Sequence, residues 1–150
     1  MPTPLRRSLL FVPGSEPRHL ARARDAGADT LVFDLEDAVA PDAKATARAL
    51  VAETLRAGGF GASEPAERVN GLATPHFADD LAAVVAAGAA AIMLPKAERA
   101  EDLAQLDALL AAREREAGRV PGSVRLLALV ETAAGVADAL AVAAATAQRA

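Results

Sequence analysis

The chain has 150 residues, 53% of them apolar but 3% aromatic, with no cysteine and a net charge of -4. This length suits a single domain, 1–150, with a core of Ala, Val and Leu. The lack of cysteine excludes disulfides, thiolate metal sites and a cysteine nucleophile. Without Trp or Tyr there is no base-stacking platform, and the acidic balance opposes a phosphate-backbone footprint, so nucleic acid is not an expected partner. The opening MPTPLRRSLLFVPG is continuously apolar only from Leu9 to Val12, too short for a signal peptide, and no segment approaches membrane-spanning length. A cytoplasmic location is the expectation.

Taken in chain order, the first β-rich run is 7–13 (RSLLFVP), and Ser15 with Pro17 marks the start of the first helix. The second run is 30–36 (TLVFDLE), followed by a helix opened by Pro41 and Asp42. The third is 67–72 (ERVNGL), with Thr74 and Pro75 as the cap and first residue of the next helix. The fourth, 91–95 (AIMLP), precedes a long helical stretch at 97–118, and the fifth, 125–131 (RLLALVE), precedes one at 133–148. Ala-Gly recurs at 26–27, 57–58, 87–88 and 117–118, closing successive helical stretches with a glycine in the left-handed position.

Strand then helix, five times over, specifies a parallel sheet covered by helices. Two architectures fit: a complete doubly wound five-stranded sheet, or the first units of a (β/α)8 barrel, which needs roughly 200–250 residues when closed. The chain stops at Gln148-Arg149-Ala150 with no closing element. The expected class is therefore α/β of the TIM-barrel type, with five βα units present.

In either architecture the working residues gather at the C-terminal ends of the strands. There the sequence turns polar. Val32, Asp34 and Glu36 share one face by the period of two, as do Arg68 and Asn70. The fourth strand leads into Lys96 and Glu98, and Leu127, Leu129 and Glu131 align on the fifth. Each polar residue alone has a structural reading. Asp37 reads equally as a loop acid, Glu131 as a neighbour of a Thr132 helix cap, and Lys96 as an ion-pair partner of Glu98 or Asp34. Together, Glu36, Asp37, Arg68, Lys96 and Glu131 from four strands point to a shared site. Carboxylates, with His19 and His76 lacking ligand-spaced partners, suit magnesium better than zinc. Arg68 offers a planar fork to a substrate carboxylate, with Asn70 and Lys96 as further candidate substrate contacts. Such a site suits small oxo- or hydroxy-acids. A second constellation, VPGSEPRHLARAR, joins a Gly14 turn to Arg18, His19, Arg22 and Arg24; it reads as a phosphate-facing edge or as a plain solvated helix.

These residues resemble the citrate lyase beta-subunit family, which includes malyl-CoA lyases and related HpcH/HpaI aldolases. The likeness runs in order through RSLLFVPGSEPRHLARARDAGADTLVFDLEDAVAPDAK, RVNG, IMLPKAE and LALVETAAGV, nearly the whole chain. It implies a (β/α)8 barrel, usually a homo-oligomer, using Mg²⁺ to cleave or form a C–C bond in a hydroxyacyl thioester of coenzyme A or a carrier. It implies Glu131 as a metal ligand and Arg68 as the grip on the substrate carboxylate. Glu36 and Asp37 would shape the metal and water environment, with Asp37 a candidate for the base. Arg18 and Lys44 would lie toward the thioester's phosphates. The resemblance also implies a second metal carboxylate, an aspartate ending the next strand, and the chain stops before it. Two alternatives to the lyase stay open: an inactive fragment or binding module, and a CoA-independent aldolase of the pyruvate type.

Overall fold

Leu31, Phe33 and Leu35 alternate with Val32 and Asp34, and all five are buried. A strand buried on both faces must be covered on both sides, as an interior strand of a parallel sheet is. The computed structural model describes residues 5–149, apart from the Gln148 side chain, and shows such a sheet. Its strands are β1 (Leu9–Pro13), β2 (Thr30–Asp34), β3 (Glu64–Arg68), β4 (Ala91–Leu94) and β5 (Arg125–Ala128). They pair in parallel, in the order β1-β2-β3-β4-β5. A doubly wound sheet reverses its strand order, and this one does not.

Helices α1 (Pro17–Ala23), α2 (Lys44–Ala57), α3 (Phe77–Ala86), α4 (Ala100–Glu116), α5 (Ala133–Ala137) and α6 (Ala139–Thr146) connect or follow the strands. The core lies between the sheet and these helices: Leu31, Phe33, Ile92, Leu94 and Leu126 meet Leu20, Val51, Leu81, Val84, Leu103, Leu106 and Leu110. The Ala-Gly stops hold as read, with Gly58, Gly88 and Gly118 at φ 62, 100 and 70.

Several boundaries differ from the sequence reading. The third strand starts at Glu64, ahead of the expected Glu67, and Asn70 lies beyond its end. Pro65 concealed it, since proline removes a ladder donor; the residue is tolerated because β4 pairing begins only at Ala66. Thr74 does not cap α3: its hydroxyl donates to the Gly71 carbonyl, and the helix begins at Phe77. Ser15 does not cap α1, where Glu16 holds the cap position. The last helical stretch divides at Asp138 into α5 and α6. Its alanine-rich sequence offers no amphipathic stripe to align one straight axis.

The inner face of the sheet carries cross-strand rows set by the register. One row runs Pro13, Asp34, Arg68, Met93, Leu127. At the opposite end of the strands, Glu64 accepts from Arg6 Nε at 2.6 Å and from Arg125 Nε at 2.7 Å. Arg6 precedes β1 and Arg125 opens β5, so the sheet is curved enough for its two edges to reach one central carboxylate. Arg6 also lines a cleft of about 260 Å³ with Leu126, Ala128 and Val142. On the outer face of β3, Glu67 is fully buried with both carboxylate oxygens unpartnered. Burial pushes its carboxyl well above the ordinary carboxylate range, and Glu64 adds to this against the opposing pull of Arg119.

Candidate active site

The site begins where β2 ends. Asp34 is 1% exposed, and its carboxylate accepts from Arg68 Nε at 2.8 Å and Nη2 at 2.6 Å. It also accepts from the backbone N–H groups of Glu36, at 2.8 Å, and Ala38, at 2.9 Å. Burial would raise the Asp34 pKa, but the Arg68 bond and the two N–H groups outweigh it and hold the carboxyl below its ordinary value. One side chain thus folds the acidic loop back on itself and aligns the neighbouring strand's arginine. The sequence puts Asp34 on one face with Val32 and Glu36 and offers it as an ion-pair partner of Lys96, not of Arg68. The signal for the Arg68 pairing is the register, which sets Asp34 opposite Arg68.

The underside of the loop is held as firmly. Lys44, at the start of α2, is buried and donates to the carbonyls of Leu35 and Glu36 at 2.7 and 2.6 Å. Burial lowers its pKa, against the pull of Asp34, Asp80, Glu36 and Asp37. Lys44 therefore clamps the loop from within, where the sequence reading set it toward a ligand's phosphates. Asn70 is likewise engaged within the protein: its amide donates to Leu35 O at 2.9 Å and to Asp80 at 2.6 Å. Asp80, on α3 and fully buried, also accepts from Arg48 Nε at 2.8 Å, a tie that nothing in the local sequence signals.

From Asp34 a line of alternating charge crosses the mouth of the sheet. Arg68 stacks over the Phe11 ring, 5.0 Å from its centroid, and places Nη1 3.3 Å from Glu36 Oε2, without hydrogen-bond alignment. Two of its three nitrogens face Asp34, so the planar fork is largely committed and the Nη1 corner is the part left for a ligand. The bond to Asp34 raises the Arg68 pKa further. Glu36 Oε1 accepts a hydrogen bond from Lys96 Nζ, which lies 3.7 Å from Asp37. The bond to Glu36 raises the Lys96 pKa. Lys96 thus pairs with Glu36 and Asp37, while the sequence reading offered Glu98 or Asp34.

Lys96 is also the non-glycine residue with positive φ among those described, at 50°. This left-handed turn at the end of β4 costs about 1–3 kcal/mol, and it aims the backbone N–H at Glu131 Oε1, 3.1 Å away. Beyond Glu131, Thr132 caps α5 by accepting from Gly135 N–H at 3.0 Å. A Cβ on Gly135 would stand 2.4 Å from the Ala97 carbonyl, so glycine is what lets this loop approach the Lys96 turn. Gly135→Ala is expected to cost about 1–3 kcal/mol in thermal denaturation, because the two loops must separate.

The structure therefore brings Glu36, Asp37, Arg68, Lys96 and Glu131 to one mouth. Arg18 is exposed on α1, outside this line of charge. Among the described residues, no three His, Cys, Asp or Glu side chains gather as a metal-binding group. The donor chemistry still fits magnesium, which takes one or two carboxylates and retains water: Glu131 is exposed, and Glu36 Oε2 is a buried carboxylate oxygen with no hydrogen-bond donor. Among the described residues no helix is long and apolar enough to cross a membrane.

Comparison with known proteins gives these features a context. The chain is 43% identical over 139 residues to the citrate lyase subunit beta of Leuconostoc mesenteroides subsp. cremoris, covering 93% of this chain and 46% of that protein. It is 43% identical over 138 residues to a (3S)-malyl-CoA thioesterase of Cereibacter sphaeroides, covering 92% of this chain and 45% of that one. A solved structure of CitE from Mycobacterium tuberculosis, in complex with magnesium, acetoacetate and coenzyme A, matches with a TM-score of 0.67 at 35% identity, over 94% of this chain and 46% of that one. The chain thus spans about half the length of the relatives it matches. The HpcH/HpaI aldolase/citrate lyase model matches residues 7–149, nearly from end to end, and the chain belongs to that family.

Proposed function

We propose that this chain forms the first five units of a (β/α)8 barrel whose mouth performs Mg²⁺-dependent C–C cleavage of a hydroxyacyl thioester, of citryl or malyl type. The observation that carries this reading is the line of charge from Asp34 through Arg68, Glu36 and Lys96 to Glu131, contributed by four strand ends. The magnesium and coenzyme A in the M. tuberculosis complex support the cofactor and substrate class. Sequential strand order and the reach of Arg6 and Arg125 to Glu64 support the barrel.

In this reading Arg68 presents Nη1 to the substrate carboxylate, oriented by Asp34 and by the Phe11 ring. Glu131, with Glu36, would hold a magnesium ion, and the chemistry such an ion would supply there is polarisation of the substrate's hydroxyl or keto oxygen. Asp37, exposed beside Lys96, receives the hydroxyl proton directly or through water. The adjacent C–C bond would then break, its electrons passing to the acyl thioester as an enolate whose carbon takes up a proton from Asp37 or water, so that a keto acid and a neutral acyl thioester leave. Lys44 and Asn70 act as positioning residues for the loop, and Arg18 lies toward the coenzyme's phosphates. The protein acts on small-molecule thioesters as a cytoplasmic homo-oligomer.

The similarity to a thioesterase supports a second reading, hydrolysis of the thioester with no C–C cleavage. Incubation with malyl-CoA and citryl thioesters, with and without magnesium, separates the two. A lyase releases keto acid and acetyl thioester, whereas a thioesterase releases free thiol and intact hydroxy acid. Keto-acid release that needs magnesium and falls ~100-fold or more in Glu131→Ala is the expected result. Thiol release alone favours the second reading, and pyruvate-dependent turnover without thioester identifies a CoA-independent aldolase. A folded chain that neither binds magnesium nor turns over any of these substrates sinks the enzyme assignment.

A further inference from the structure

The mouth of the sheet carries four carboxylates, from Asp34, Glu36, Asp37 and Glu131. Arg68 is bonded to the first and its Nη1 lies 3.3 Å from Glu36, while Lys96 reaches Glu36, Asp37 and Glu131. Its ammonium lies on Glu36 and near Asp37, while its backbone N–H holds Glu131. We infer that Lys96 is a displaceable counter-ion: its ammonium holds Glu36 and Asp37 together in the cation-free site and moves into solvent when a divalent cation takes its place. The inference rests on the proposed cation site and concerns how that site is kept ready.

Three observations carry it. The Lys96 side chain is 53% exposed, so it has somewhere to go, whereas the Arg68 side chain is 11% exposed and pinned by two bonds to Asp34. The Lys96 backbone is anchored independently of its ammonium. Its own N–H bonds to Glu131, and the next N–H, of Ala97, bonds to the Leu129 carbonyl at 3.0 Å. The side chain can therefore leave without disturbing the turn that holds Glu131. Finally, an ammonium and a divalent cation on the same carboxylate repel one another, and Glu36 Oε1 lies against the ammonium here. Without a cation the carboxylates would repel each other instead, and the ammonium prevents this.

The chain has two lysines, Lys44 and Lys96, which makes the test direct. Lys44 is buried, so brief acetylation by acetic anhydride, mapped by mass spectrometry, reads Lys96 against an internal reference. Adding magnesium to the wild-type protein is expected to raise Lys96 labelling several-fold while leaving Lys44 unchanged. By calorimetry, Lys96→Met is expected to bind magnesium about tenfold more tightly. Both side chains carry a Cβ, so the left-handed turn is equally strained in each. Measurable magnesium binding with unchanged Lys96 labelling overturns the counter-ion role and leaves the cation site standing. Equal or weaker binding by a folded Lys96→Met protein does the same. No magnesium binding by either folded protein overturns the cation site and this inference with it.

Discussion

Asp34→Ala is expected to destabilise the fold by about 3–5 kcal/mol, measured by urea denaturation, because it leaves the Arg68 guanidinium buried without its partner. It also removes the acceptor for the Glu36 and Ala38 N–H groups, so the acidic loop loses its turn. Against a total stability of about 5–15 kcal/mol this is a large fraction, and thermal denaturation should show a much lower midpoint. The pH dependence follows from the lowered folded-state pKa. Stability from Asp34 is present above the ordinary carboxylate range and is lost as pH falls through its folded pKa. In Asp34→Ala this part of the acid sensitivity should disappear. A double change, Asp34→Ala with Arg68→Met, should recover part of the loss, since no buried charge is then orphaned. If the double variant is as unstable as the single one, the orphaned charge is not the cause.

Glu67→Leu is expected to do the opposite. A fully buried carboxyl with no hydrogen-bond partner costs about 1–3 kcal/mol, and leucine at that site faces the same apolar layer without that cost. The native state holds the Glu67 proton at pH values where the unfolded chain has released it. Its stability therefore falls as pH rises from the ordinary carboxylate range toward the raised folded pKa. Glu67→Leu should unfold at a higher temperature than the wild type at pH 8, with the gap narrowing toward pH 4. A constant gap across that range would show that Glu67 ionisation is not what limits the fold. Glu67 has no part in the proposed reaction, so its replacement separates stability from activity.

The five strands were legible in outline because alternation and apolar runs are local properties, and so were the Ala-Gly stops that separate the units. The third strand was misplaced by three residues because Pro65 argues against a strand wherever its neighbours are unknown. That shift hid the pairing of Asp34 with Arg68, which exists only in the true register. Lys44 and Asn70 look from their neighbours like solvent-facing polar residues. Their partners, the Leu35 and Glu36 carbonyls and Asp80, come within reach only after the loop folds over α2 and α3.

By itself the sequence determined the strand–helix rhythm, the apolar faces, and the end of each unit at which charge collects. These follow from the periods of two and 3.6 residues and from glycine's access to positive φ, all set within a few positions of chain. The tertiary structure decided which charges meet. Asp34 joins Arg68 across 34 residues and Lys96 joins Glu36 across 60, and both depend on strand register and loop path. It also decided that Lys96 bears a left-handed turn with Glu131 on its N–H. Register and loop path are fixed by packing of the whole sheet against its helices, which no short stretch of sequence contains.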